Sequence, residues 1–434
     1  MANQIGTFDT PGDTPARPPR PPRPPRSPRP APLPAVLGFT CLNSLGTGAV
    51  QMGIFFLLRS AYGFGRRENY LFGLVLYGVY VIGALAAGPM MNRLRAVGLS
   101  TRIVLAAVLV AQAAASFIPG GVARLGGTQI PPQWTVWLAA IGYGVFTGIM
   151  WPIVESYLSG GRSGKALNAA TGRFNVLWSG AVLASFWLMA PLVEQRPIDV
   201  ITALGVVQIA SAGLLVKFGP NPAKHLPHQH EPHPESWKNL LSAFRVLLPL
   251  AYIVAGTLSP LLPTTLDQIG IREAWAPPVA SAWLTSRVVV FFIFERWPGW
   301  HGRRWVPVLA GGLLLFGFAG TVIAPRLGPA ALPVLIGTLT LFGAGHAMIY
   351  LGALYYALEV GRAEVNAGGV HEALIGLGYA LGPAIGLVLI LLGTSGPNFD
   401  SWLILVVSVV SVLAGLRTLR ILHGRRNVHT NFLE

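Results

Sequence analysis

The chain has 434 residues, of which 53% are hydrophobic and only 11% charged, with a mean hydropathy of +0.57. A soluble surface of that size needs far more polar cover than 16 acids and 31 bases supply, so an ordinary water-soluble domain is excluded and a lipid bilayer is the natural solvent. The net charge of +15 does not signal nucleic acid, because the bases fall between apolar stretches. Cys41 stands alone, which excludes an intrachain disulfide and a multi-cysteine metal site; a small buried apolar residue is its expected role.

Residues 1–33 are Pro- and Arg-rich, with Arg17, Arg20, Arg23 and Arg26 separated by Pro-Pro pairs. That spacing predicts a disordered tail of polyproline II character, drawn to anionic lipid heads or serving as a PxxP ligand. It is not a secretory signal, because the first apolar run continues straight into a span.

Twelve apolar runs follow, each near the ~20 residues that cross a bilayer. They lie at about 34–58, 69–91, 101–118, 135–158, 168–192, 198–217, 240–266, 275–296, 305–324, 331–358, 366–392 and 400–421, and are called spans 1 to 12. With the amino terminus inside, and bases near the inner ends of spans counted with the inner loops, 22 of the 31 bases lie in tails and inner loops, seven in outer loops, and two, Arg173 and Arg287, within spans. Both termini are therefore expected in the cytoplasm of a bacterial inner membrane. The outer segment from Arg59 to Glu68 holds three of those seven bases and fits least well. Trp134, Trp137, Trp237, Trp275, Trp297, Trp300, Trp305 and Trp402 sit near span ends and are read as interfacial anchors.

The expected organisation is a tail (1–33), a six-helix half (34–217), a His- and Pro-rich linker (218–239), a second six-helix half (240–421) and a short tail (422–434). The linker carries His225, His228, His230 and His233, dense enough in imidazole for a divalent metal, although five nearby prolines favour a solvated loop without one. No cofactor is expected.

The halves repeat each other. Gly142-Tyr-Gly144 matches Gly343-Ala-Gly345, Asn92-Arg93 matches Glu295-Arg296, and Asn168-Ala-Ala-Thr-Gly172 matches Asn366-Ala-Gly-Gly369, at offsets of 201, 203 and 198. Such parallel repeats mark transporters with an axis along the membrane normal. At this point the chain resembles the major facilitator superfamily over residues 34–421. Gly88-Pro-Met-Met-Asn92-Arg93-Leu-Arg95 stands where that family has its motif between spans 2 and 3, with Asn92 in place of the usual Asp and Glu295 at the corresponding place of the second half. A Gly-Pro motif usual in span 5 occurs in span 11, at Gly382-Pro383. The resemblance implies an all-α membrane protein of two pseudo-symmetric six-helix halves, with spans 1, 4, 7 and 10 lining a central cavity.

Polar groups at mid-span are costly and so point to function. Trp151 and Glu155 share a face of span 4, next to Pro152. They offer a stacking surface and a charge, or an interfacial Trp and a Glu paired with Arg173. Arg173 opens span 5 and can form with Glu155 either a gate or a fixed bridge; Asn175 and Trp178 follow it toward the cavity, or bond between helices. In span 11, Glu372 is the expected proton carrier with His371 as relay, the alternative being a carboxylate held by Arg173. His346 and Tyr350 share a face of span 10, and Asn43, Thr47 and Gln51 one of span 1; each set suits a polar or aromatic solute, or plain packing. Thr257 and Arg287 are lesser candidates.

There is no Walker A loop, HExxH, Gly-x-Ser-x-Gly elbow or strand-preceded GxGxxG, so ATP-driven pumping and familiar hydrolase chemistry lack support. The expected function is proton-coupled secondary transport of a small solute, by a monomer working through alternating access, with no enzymatic activity. A membrane scaffold using the Arg/Pro tail and an intramembrane lipid-modifying enzyme are the competing readings.

Overall fold

A computed structural model describes residues 29–224, 234–360 and 365–423; at 235, 358–360 and 365–370 only the helical backbone is described. Twelve long helices fill the described residues. They are α1 (Leu33–Tyr62), α2 (Arg66–Ala96), α3 (Thr101–Leu125), α4 (Gln133–Ser159), α5 (Gly164–Val193), α6 (Pro197–Leu214), α7 (Glu235–Gln268), α8 (Ala282–Arg296), α9 (Trp305–Ile323), α10 (Ala331–Val360), α11 (Val365–Leu391) and α12 (Gly396–His423). Each answers to one expected span, because in hydrocarbon every backbone N–H and C=O must be bonded within its own helix.

Helix ends run beyond the apolar windows. α2 continues five residues past the expected 91 to Ala96, and α3 passes through Pro119 to Leu125. The motif from Gly88 to Arg95 is therefore the last turns of α2 and not a loop, with Asn92 and Arg93 exposed. Helical bonding runs almost unbroken from Trp305 to Ala357, 53 residues, but Gly328 at φ 53° and ψ −122° turns the chain back, so that α9 and α10 pack side by side. Only glycine adopts that backbone conformation readily.

Burial separates central helices from peripheral ones. In the most apolar windows of α1 and α7, 83% of residues are buried inside the protein, against 22% in α12. Leu405, Val409, Val412 and Leu413 of α12, each at least 50% exposed, form an apolar outer face. α2 packs on α4 and α11, α7 on α10, α11 and α12, and α8 on α5 and α10. The two halves thus meet along two seams, α2 with α11 and α5 with α8.

Close approach inside each half depends on small residues. A Cβ on Gly144 would lie 3.0 Å from the Leu76 carbonyl oxygen of α2, and one on Gly343 would lie 2.0 Å from the Trp283 carbonyl oxygen of α8. Gly142 faces Ala115 of α3 and Gly345 faces Ala310 of α9. Each half thus turns one glycine of the pair toward its second helix and the other toward its third.

With an even number of helices, α1 starts and α12 finishes at one end of the bundle, called here the proximal end. The distal end is tied between halves. Arg59 of α1 donates to Asp267 of α7 at 2.5 Å, and the Arg66 guanidinium of α2 lies 3.1 Å from Asp400 of α12. Asn69 and Tyr70 of α2 donate to the carbonyls of Pro260 and Thr257 on α7, at 3.3 and 3.2 Å, and the Glu194 carboxylate accepts from the Ala274 amide at 3.0 Å. Arg59 and Arg66 are two of the bases that fitted the charge count least well, and their partners explain the exception. These are cross-half ion pairs.

At the proximal end the start of the expected linker is docked. Phe218 packs on Phe39 and Tyr157, and Asn221 Oδ1 accepts from the Thr101 hydroxyl at 2.8 Å, while Arg95 donates to that same hydroxyl at 3.1 Å. Tail residues 1–28 and His225, His228, His230 and His233 lie outside the described residues.

Of the eight tryptophans read as anchors, Trp134, Trp275, Trp297, Trp305 and Trp402 are exposed as expected. Trp300 is not. It is 3% exposed, donates to the Phe294 carbonyl at 3.0 Å, and packs with Tyr355 and His301. Trp137 and Trp237 are half-buried against Phe72 and Tyr356.

Candidate functional site

The polar candidates converge between the halves, nearer the proximal end. At ~1.5 Å rise per residue, Glu372 lies roughly 10 Å along α11 from its start and Arg287 roughly 14 Å along α8 from its end.

One cluster is acidic. Tyr80 of α2 donates its hydroxyl to Glu372 of α11, and the Glu155 carboxyl of α4 lies within hydrogen-bond reach of the Glu372 carboxyl. The close fit comes from glycine again, since a Cβ on Gly376, one turn beyond Glu372, would lie 2.7 Å from the Tyr80 ring. Glu372 is 8% exposed and Glu155 half-buried. Arg173 is exposed and makes no ion pair among the described residues, so the expected Glu155–Arg173 and Glu372–Arg173 partnerships are replaced by an acid–acid–phenol cluster. The reason is the direction of the residues on α5: Asn175 points inward at 2% exposure, whereas Arg173, two residues earlier, lies on the outer side.

The second cluster surrounds Arg287. Its side chain is 1% exposed, and its Nε and Nη2 donate to nothing among the described residues. The guanidinium carbon lies 4.2 Å from the Trp178 ring centre, 5.2 Å from Phe291 and 5.3 Å from Tyr350. Trp178 of α5 and Tyr350 of α10 stack across the seam, ring centres 5.9 Å apart and planes at 19°. His371 packs its ring 6.3 Å from Tyr350, and its Nε2 is buried without a partner among the described residues. A desolvated cation over an aromatic face gains about 2 kcal/mol, well short of what a charge loses on leaving water.

The remaining candidates take different places. His346 is fully buried among Tyr252, Trp283 and Phe342, with neither ring nitrogen bonded among the described residues. Trp151 packs edge-on against Phe174 at 6.1 Å, and Asn175 Oδ1 is buried without a partner among the described residues. Asn43 and Thr47 return their side chains to their own helix, at the Phe39 and Asn43 carbonyls. Gln51 falls in a π-helical stretch, Gly48–Gly53, and its carbonyl accepts from the Tyr77 hydroxyl of α2. Glu295 is exposed, with its carboxylate 3.3 Å from where a Cβ on Gly172 would sit, and so marks the proximal end of the α5–α8 seam. Arg296 lies over the Phe292 ring at 3.5 Å.

Sequence reasoning missed a row of rings that runs from one half to the other. Tyr77 stacks on Tyr379 at 4.8 Å, Tyr379 meets Tyr252 at 4.9 Å, and Tyr252 meets His346 at 4.9 Å. Tyr80 was missed too. Tyrosines at mid-span were the available signal, but nothing in the sequence joins α2 to α11.

No family model and no curated protein matches the chain by sequence. Solved structures match it by shape. A crystal structure of the nucleoside transporter NupG superposes with a TM-score of 0.63 at 11% identity, over 90% of this chain and 99% of that one. A POT family transporter in complex with a thioalcohol-conjugated peptide gives 0.63 at 12% identity, and another in complex with 5-aminolevulinic acid gives 0.62 at 13%, each over 90% of this chain and 96% of the other. With twelve helices in two halves joined along α2–α11 and α5–α8, the chain is a multi-pass membrane protein of the major-facilitator fold.

Proposed function

We propose that the chain is a secondary transporter, moving a small solute by alternating access and coupling it to a proton carried by the Glu155–Glu372 pair. The observation that carries this reading is two carboxyl groups and one phenol facing each other inside the membrane, with no ion pair to a basic side chain among the described residues. Two bare carboxylates at that separation would repel in a medium of low dielectric, and one shared proton removes the repulsion. Tyr80 and Glu155 belong to one half and Glu372 to the other. Rocking the halves apart breaks the cluster, so the hold on the proton depends on conformation, which is what coupling requires. The distal ties correspond to a state closed at that end, and the proximal end is the cytoplasmic one of a bacterial inner membrane.

The test is made in proteoliposomes containing the full chain, screened with small solutes under an imposed pH gradient. Glu372→Gln keeps the size of the side chain but holds no transferable proton. It is expected to lower pH-driven uptake at least ~10-fold while solute exchange without a gradient continues. Unchanged pH-driven uptake in Glu372→Gln would overturn the coupling, and absence of any solute flux in the wild type would overturn the transporter reading.

A further inference from the structure

Arg287 is a permanent positive charge, since a guanidinium does not lose its proton in proteins. In the interior such a group is met by an acid wherever the fold provides one, because an unpaired buried charge is among the costliest features a protein carries. Here no carboxylate lies within ion-pair distance among the described residues, and two of its nitrogens donate to nothing. The acids nearest in kind, Glu155 and Glu372, are engaged with each other and with Tyr80. The aromatic faces of Trp178, Tyr350 and Phe291 hold the cation in place without neutralising it.

We propose that Arg287 is the solute-binding charge of the central site and that the solute is an organic monocarboxylate with a flat or short apolar body. This rests on the transporter reading given above. The position fits, since Arg287 belongs to α8 of one half and the ring it covers, Trp178, to α5 of the other, so an anion there bridges both moving parts. The charge count fits as well. One guanidinium neutralises one negative charge, and a dianion would leave a net negative charge beside an acid pair. The walls fit a flat body: Trp178 and Tyr350 already present parallel faces, and an aryl or alkyl carboxylate can slide its apolar part between them as the halves part. Bidentate carboxylate recognition is what a guanidinium does best. Asn175, whose buried oxygen lacks a donor, stands one turn before Trp178 on the same helix and suits a hydroxyl or amine on the solute body.

The experiment uses the full chain purified in detergent, with thermal unfolding followed against a panel of monocarboxylates (acetate, benzoate, indole-3-acetate) and their neutral amides. At least one carboxylate is expected to raise the midpoint of the wild type while its amide does not. Arg287→Gln is expected to weaken that binding about 100-fold. Arg287→Met removes an unpaired buried charge, so it is expected to raise the midpoint of the unliganded protein while abolishing the carboxylate effect. Equal response to acids and amides, no response to any acid, or a lowered unliganded midpoint in Arg287→Met would each overturn the assignment. Carboxylate binding through Arg287 without any flux in proteoliposomes would keep this inference and sink the transporter reading. Proton-coupled flux of a neutral solute, lost in Glu372→Gln, would do the reverse.

Discussion

Gly343→Ala is expected to lower the stability of the detergent-purified chain by about 1–3 kcal/mol or more, seen as a clear drop in unfolding midpoint. The added methyl group would sit 2.0 Å from the Trp283 carbonyl oxygen and 2.7 Å from its carbon, so it meets backbone and not a side chain that can turn away. The only relief is to separate α8 from α10. That separation would disturb the wall that carries His346 and Tyr350 on α10 and Trp283 and Arg287 on α8. Gly337 of the same helix is the control, because a Cβ there meets nothing within 4 Å. Gly337→Ala removes the flexibility of a helical glycine and is expected to leave the midpoint unchanged or raise it. An unaltered midpoint in Gly343→Ala would show that the two helices are not as close as described.

Asp400→Asn is expected to open the distal end. The Asp400 carboxylate is mostly buried and serves two guanidinium groups, with Arg66 of α2 at 3.1 Å and Arg326 of the α9–α10 connection at 3.2 Å. Neutralising it leaves two like charges facing each other beside the seam between the halves, at a cost of roughly 1–3 kcal/mol to the closed state. Each ~1.4 kcal/mol is a tenfold change in population, so a distally open form becomes readily measurable. Spin labels at exposed Arg67 and Asn398, with the lone Cys41 replaced by Ser, report the distance between α2 and α12 across that end. Asp400→Asn should add a longer distance that the wild type lacks, and an identical distribution in both would show that the ion pairs do not hold the end shut.

The spans were legible because hydropathy is a property of each segment by itself, and the bilayer admits only one answer to a run of ~20 apolar residues. The repeat was legible for a related reason: the glycine pairs of α4 and α10 each meet neighbouring helices at close range. Partnerships across the bundle were not. Glu155 was set against Arg173 because the two are near in sequence, yet its partner, Glu372, lies on the other half. Arg287 was visible as one of two bases inside spans. Its weight comes from a missing acid, which no count of residues along the chain reveals. The exception in the charge distribution between Arg59 and Glu68 was itself a signal, since bases tolerated on the less basic side have acids to meet, here Asp267 and Asp400.

The wide turn of α1 bears on how this chain tolerates changes of length. A π-helical stretch bonds each residue to the fifth along instead of the fourth, and so holds roughly one more residue than an α-helix spanning the same place. Everything on α1 after Gly53, including the buried Phe55, Phe56 and Leu57, keeps its facing because that extra residue is absorbed between Gly48 and Gly53. Deleting one residue inside the stretch lets the helix close as a plain α-helix with both flanks still in register, whereas the same deletion elsewhere in α1 would turn the rest of the helix by about 100°. What such a shortened chain gives up is the carbonyl of Gln51 turned toward the Tyr77 hydroxyl, a link between α1 and α2 that the wide turn provides.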